Sequence, residues 1–242
     1  MWVTANNFQT VFWFAVVPAF LCVALLMFGV QEPERRQGLR KVRSPLSVKE
    51  LKGLGADYWW VIGIAFVLSI ARFSEAFLIL RAQAVGLSVM FAPLVLVLMN
   101  VVYTFAAYPA GALSDNANRV KILALGLGFL VAADLAFAFT SGLVGAAIGV
   151  ALWGLHMGFT QGLLASLVAD TCPPELRGTA YGVFNLLSGL AALVASILAG
   201  ALWDIGGAQA TFIASAILAG MALVGLAVVR RLAPHVGGVP EA

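Results

Sequence analysis

GALSDNANRVK, residues Gly111 to Lys121, is a short polar bridge between two apolar segments. Each neighbour is long enough to cross a bilayer, which takes about 20 apolar residues in a helix. Gly111, Asp115 and Arg119 recur every fourth residue. That spacing puts Gly111 and Asp115 on one helical face, where glycine lets a neighbouring helix come close. Asp115 is placed to accept hydrogen bonds from a helix N-terminus or to pair with Arg119.

The composition around this stretch says what solvent the chain was built for. It has 242 residues, 62% hydrophobic and 10% charged, with mean hydropathy +1.00. Soluble domains carry about 25% charged residues, and a deficit this deep leaves too few polar groups to cover a globular surface, so lipid is the expected partner. Cys22 and Cys172 stand far apart, and His156 and His235 are the only histidines, so neither a disulfide framework nor a multi-histidine metal site is expected. No G-x-x-x-x-G-K-[ST] loop occurs, so ATP is not expected to drive the protein directly. No cofactor and no nucleic-acid partner are expected. The start, MWVTANNFQT, has no basic n-region or cleavage site and does not read as a signal peptide.

Outward from the bridge, seven apolar runs read as helices: Val11–Val30, Tyr58–Leu80, Val89–Leu113, Val120–Phe139, Leu143–Val168, Thr179–Trp203 and Ala210–Val229. They are too long and too unalternating for barrel strands. The expected fold is an all-α, multi-pass integral membrane protein of seven transmembrane helices. Lys and Arg set its orientation. With residues 31–57 inside, twelve of the fourteen basic residues fall on inner segments; Arg81 falls outside and Arg72 within a span. The N-terminus is then outside and the C-terminus inside.

Three motifs resemble those of the major facilitator superfamily of transporters. GALSDNANRVK is similar to its signature loop, G-x-x-x-D-x-x-G-R-[KR], with Asn118 and Val120 departing from the pattern; PPELRGTAYG (Pro173 to Gly182) and GALWD (Gly200 to Asp204) are similar to two further motifs. The resemblance implies twelve helices in two six-helix halves. Residues 1–30 then correspond to the last helix of the first half, 31–57 to the basic cytoplasmic loop, 58–229 to the second six-helix bundle and 230–242 to a cytoplasmic tail. On that reading the chain is a truncated, half-sized member, expected in the plasma (cell inner) membrane. The resemblance also implies a gating role for Gly111, Asp115 and Arg119. Asn tolerates the left-handed conformation, so the turn is expected to survive Asn118, while Val120 removes one charge from the latch.

Ionisable groups inside spans are functional candidates by default. Arg72 and Glu75, three apart with Ser69 one turn earlier, are expected to share a helical face. They read either as a solute contact with a proton-accepting carboxylate or as a self-neutralising structural pair. Asn100, Tyr103 and Thr104 make one stripe, and Asn185, Ser188, Gly189 and Ser196 another. In the fifth run Gly154, Gly158 and Gly162 form a small-residue ridge with Gln161 near its edge; opposite lie Trp153, His156 and Thr160. His156 reads as a packing residue or a proton carrier. The resemblance implies that these striped helices line a central cavity and that the fourth and seventh runs stand outside it. Asp134, near the outer end of the fourth, is expected to reach the interface in a structural role.

The leading expectation is transport of a small solute by alternating access, coupled to protons or another ion. The missing half would come from a separately encoded N-terminal half or from self-association. The alternative is a non-transporting membrane fragment or scaffold subunit. An enzyme is not expected, because no nucleophile has an oriented base.

Overall fold

The computed structural model describes residues 8–29 and 51–232, all helix and short turns, with no strand among them. Of the expected basic loop 31–57, residues 31–50 lie outside the described residues, as do residues 233–242 of the expected tail 230–242. Helix α1 (Phe8–Gly29) is taken by itself. It is apolar all round, carries Pro18 in its middle, and has the length of a single crossing.

The remaining helices form one bundle: α2 (Ala56–Ala71), α3 (Ala76–Ala84), α4 (Ala92–Asn116), α5 (Arg119–Phe139), α6 (Gly142–Asp170) and α7 (Arg177–Leu232). The described chain holds six helical stretches long and apolar enough to cross a membrane, α2 and α3 counting as one. The chain is an integral, multi-pass membrane protein. Helix α7 is one element of 56 residues, well over twice the length of a crossing. Gly207, at φ +68°, breaks it. The Thr211 hydroxyl bonds the Ala199 carbonyl at 3.3 Å, whereas twelve residues of straight helix would hold them roughly 18 Å apart. The two arms therefore fold back on each other, at the turn expected over residues 204–209.

Main contacts run α4 to α6, α6 to α5, α5 to α7 and α7 to α2. Lipid gives little hydrophobic drive for helix association, so close fit must supply it. Glycine supplies that fit along α6. A Cβ on Gly154 would stand 2.6 Å from the Met99 carbonyl, and one on Gly158 2.6 Å from Ala106 Cβ. Two members of the expected ridge thus seat α4; Gly162 has no neighbour within 4 Å. On the other flank Leu123, Leu127, Leu130 and Phe137 of α5 are fully buried. At the far end Tyr58 donates to the Ala180 carbonyl at 2.9 Å, tying the start of α2 to the start of α7.

The expected span Tyr58–Leu80 falls within one apolar crossing, Ala56–Ala84, but it is not one continuous helix. That run is two helices, because α2 ends at Ala71 and Arg72 is extended at φ −109°, ψ 101°. The Ser74 hydroxyl accepts from the Ala76 N–H at 3.3 Å, a local bond that competes with the helix ladder. The interruption seats Phe73 in the core, with ring centroids 5.2 Å from Phe77, 5.4 Å from Phe212 and 5.6 Å from Trp153. Ser69, Arg72 and Glu75 consequently do not share one continuous helical face.

Candidate functional site

The loop around residues 111–121 is tighter than its sequence suggests. Helix α4 continues through Asn116 and α5 begins at Arg119, which leaves Ala117 and Asn118 as the connection. Asn118 is not left-handed but extended, at φ −62°, ψ 115°, and it caps α5. Its side chain accepts from the backbone N–H groups of Val120 at 3.0 Å and Lys121 at 3.4 Å. Asparagine is among the best residues for that position. Asn118→Ala is expected to cost about 1 kcal/mol, read as a thermal midpoint lower by about 2–4 °C in the purified chain.

Arg119 forms an ion pair with Asp170, the last residue of α6. Gly111 lies inside α4 with open space around it. Asp115 lies in the last turn of α4, and its side chain falls outside the described atoms. With Asp170 about half exposed, the Arg119 pair contributes at most about 1 kcal/mol to stability. A pair this weak suits a contact that forms and breaks.

Cys172 is buried just beyond α6, in a cluster with Leu54, Tyr58 and Val183. Burial pushes its thiol above the ordinary value, with Arg177 pulling less strongly the other way. The thiolate is the reactive form. Alkylation of Cys172 in a Cys22→Ala chain is therefore expected to lag a free thiol at neutral pH and to accelerate only above the usual thiol range. Equal rates at neutral pH would count against the burial.

Four of the eight candidates in the spans meet at one cavity of about 310 Å³, where Arg72, His156, Gln161 and Asn185 line the wall with Ser69, Thr160 and Ser188. Its walls come from the end of α2, the middle of α6 and the first arm of α7. Ligand pockets run from about 300 Å³ upward and combine apolar walls with a few placed polar groups. Arg72 also borders a second, more open space of about 420 Å³ with Glu75, Ser74 and Ser196. The break between α2 and α3 thus puts one guanidinium between two polar chambers. No direct salt bridge joins Arg72 to Glu75 among the described residues.

His156 is buried, and its Nδ1 lies 2.9 Å from the Gly126 carbonyl. A carbonyl only accepts, so Nδ1 carries the proton and Nε2 of the neutral ring keeps a lone pair. Gly126 makes the contact possible, since a Cβ there would meet Thr160 Cγ2 at 2.6 Å. The other candidates lie elsewhere. Trp153 is fully buried against Phe73 in the core. Tyr103 borders a groove between α4 and α6 with Gly111, Gly158 and Gly162. Asn100 is exposed, its side-chain amide donating to the Leu96 carbonyl at 2.8 Å. Sequence reasoning missed Leu68, Leu164 and Phe184, the apolar wall of the cavity, because nothing marks them among so many apolar residues.

Asp134 corrects another expectation. It does not reach the interface but is fully buried, 2.6 Å from the Ser215 hydroxyl of α7.

The sequence profile of the Major Facilitator Superfamily matches residues 1–196. The chain belongs to that superfamily. It is 29% identical over 219 residues to the uncharacterized MFS-type transporter MJ1317 of Methanocaldococcus jannaschii, covering 88% of this chain and 54% of that protein. An uncharacterized protein of Mycobacterium tuberculosis is 28% identical over 208 residues, covering 84% of this chain and 50% of its own length. The MFS-type transporter ppzB of Metarhizium rileyi is 33% identical over 116 residues, 47% of this chain and 24% of that one. The chain spans about half the length of the first two. Two of these relatives are named as MFS-type transporters.

Proposed function

We propose that this MFS chain supplies the second half of an alternating-access transporter for a small polar or charged solute, coupled to protons or another ion. In that reading it crosses the membrane seven times, with the N-terminus outside and the C-terminus inside. The plasma (cell inner) membrane is the proposed location. The observation that carries the reading is the cavity in which Arg72 from the break after α2, His156 and Gln161 from α6 and Asn185 from α7 converge. A guanidinium beside neutral donors and acceptors suits a solute bearing a carboxylate or similar anion. Rocking requires an opposing bundle, so a separately encoded N-terminal half or a second copy of this chain is the proposed partner.

The test is solute flux in proteoliposomes containing the chain, alone and with an N-terminal half. Absence of flux in both preparations would refute the reading and favour a scaffold subunit. The short α4–α5 connection and the Arg119–Asp170 pair support a gating role for Gly111, Asp115 and Arg119. Asp115→Asn in the reassembled transporter is expected to lower turnover several-fold while leaving apparent solute affinity within about twofold, since neither Gly111 nor Arg119 lines the cavity. A weakened affinity at unchanged turnover would move the loop from gating to binding.

A further inference from the structure

Asp134 is a buried ionisable group that the cavity does not use. One of its oxygens, Oδ2, lies 2.6 Å from Ser215 Oγ, which in turn lies 2.8 Å from the Ala71 carbonyl oxygen. The other, Oδ1, is buried with no hydrogen-bond partner. Ala71 is the last residue of α2, immediately before the break. Its carbonyl is one of the acceptors that a helix end leaves without an intrahelical donor. Ser215 is thus the cap on the broken helix, reached from the second arm of α7.

The proton count of this chain of contacts decides its chemistry. Ser215 has one hydroxyl proton and two oxygen neighbours within bonding distance. A backbone carbonyl can only accept. If Asp134 were a carboxylate it too could only accept, and one of the two contacts would bring oxygens together with no proton between them. Both are satisfied together when Asp134 donates to Ser215 and Ser215 donates to Ala71. An isolated, unpaired carboxylate in a dry core is also very costly.

The surrounding charges do not change that count. Arg72 and Glu75 follow Ala71 in the break and border the open chambers. His156 of α6 is engaged with Gly126, two turns along α5 from Asp134. Arg81 of α3 is engaged with the Thr140 carbonyl just past the end of α5. Asp170 of α6 and Arg119 and Lys121 of α5 lie toward the far ends of their helices, and Asp204 lies beside the α7 turn. No ion pair joins any described residue to Asp134.

We infer that Asp134 is a proton-binding site separate from the solute cavity, and that its proton holds the break between α2 and α3 in place. When the proton leaves to water, the carboxylate takes the single Ser215 proton and the Ala71 carbonyl loses its donor. The segment that carries Arg72 into the cavity is then released at its root. By linkage, anything that fixes Arg72 strengthens proton binding at Asp134 to the same degree. This inference deepens the transporter reading by naming a coupling site, but its test needs no solute.

The test uses the full 242-residue chain in nanodiscs. Infrared spectra at neutral pH should show the C=O stretch of a protonated carboxyl that is lost in Asp134→Asn. A spin label at Ser74→Cys, with Cys22 and Cys172 replaced by alanine, should be restrained at low pH and gain mobility as pH rises. Asp134→Asn, whose amide still donates to Ser215, should keep the label restrained across the range. Ser215→Ala should leave it mobile throughout. Identical infrared spectra for the wild-type chain and Asp134→Asn would overturn the inference, whatever the flux assay shows. So would a label that responds to pH equally in both. If Ser215→Ala does not fold, the comparison with Asp134→Asn decides alone. A lost carboxyl band without solute flux would keep the proton site while removing the transporter reading.

Discussion

Gly154→Leu is expected to abolish recovery of monodisperse folded protein. A Cβ at that position would meet the Met99 carbonyl oxygen at 2.6 Å and Val102 Cβ at 3.0 Å. The nearest obstacle is backbone, which cannot swing aside as a side-chain tip can, so α4 and α6 would have to separate. Overpacking a fitted core by a few methylenes costs about 1–3 kcal/mol, and the upper end applies where main chain is the obstacle. Total stabilities are commonly about 5–15 kcal/mol, so the loss takes a large share. Gly162→Leu is the control: it lies on the same helix two turns onward, with nothing within 4 Å. Size-exclusion profiles and thermal midpoints of the two variants should differ sharply. Similar behaviour of both would mean that α4 and α6 are not in glycine-mediated contact.

Arg72→Ala is expected to have the largest effect on transport. It removes the positive charge between the two chambers, and a hydrogen bond to a charged partner contributes about 1.5–3 kcal/mol. Uptake at low solute concentration should therefore fall roughly 10- to 150-fold. Arg72→Lys should recover only part, because lysine keeps the charge but not the planar fork. The chain itself should remain folded, as Arg72 is not among the core residues. Unchanged uptake by Arg72→Ala in proteoliposomes would remove this cavity from the transport path.

Much of the fold was legible because lipid demands long uninterrupted apolar helices, and a composition with 10% charged residues leaves little else to build. The packing role of Gly154 and Gly158 was legible from spacing alone, but not that α4 is the helix they seat. The break at Arg72 was not. No proline or glycine marks it, and apolar residues continue on both sides. It depends on Phe73 meeting Trp153 and Phe212, partners far along the chain that local pattern does not reveal. The same holds for Asp134 and Ser215. A signal did exist: an acid, Asp134, in one span and a hydroxyl pair four residues apart, Thr211 and Ser215, in another. Asp170 as partner for Arg119 was also within reach, since both sit at the same end of consecutive helices. At the site, the polar stripes pointed to the right helices, but stripes alone do not tell which polar residue faces a cavity. Trp153 shows this, being fully buried against Phe73 in the core.

The fold-back at Gly207 bears on how the chain is made. A helical element of 56 residues emerging from the ribosome would overshoot the bilayer if it stayed straight. Because Thr211 finds the Ala199 and Gly207 carbonyls within the same element, its two arms can close on one another by local contacts alone. They follow the other described helices in chain order, so the pair can dock as a ready-made hairpin on a bundle whose other helices are already in the membrane.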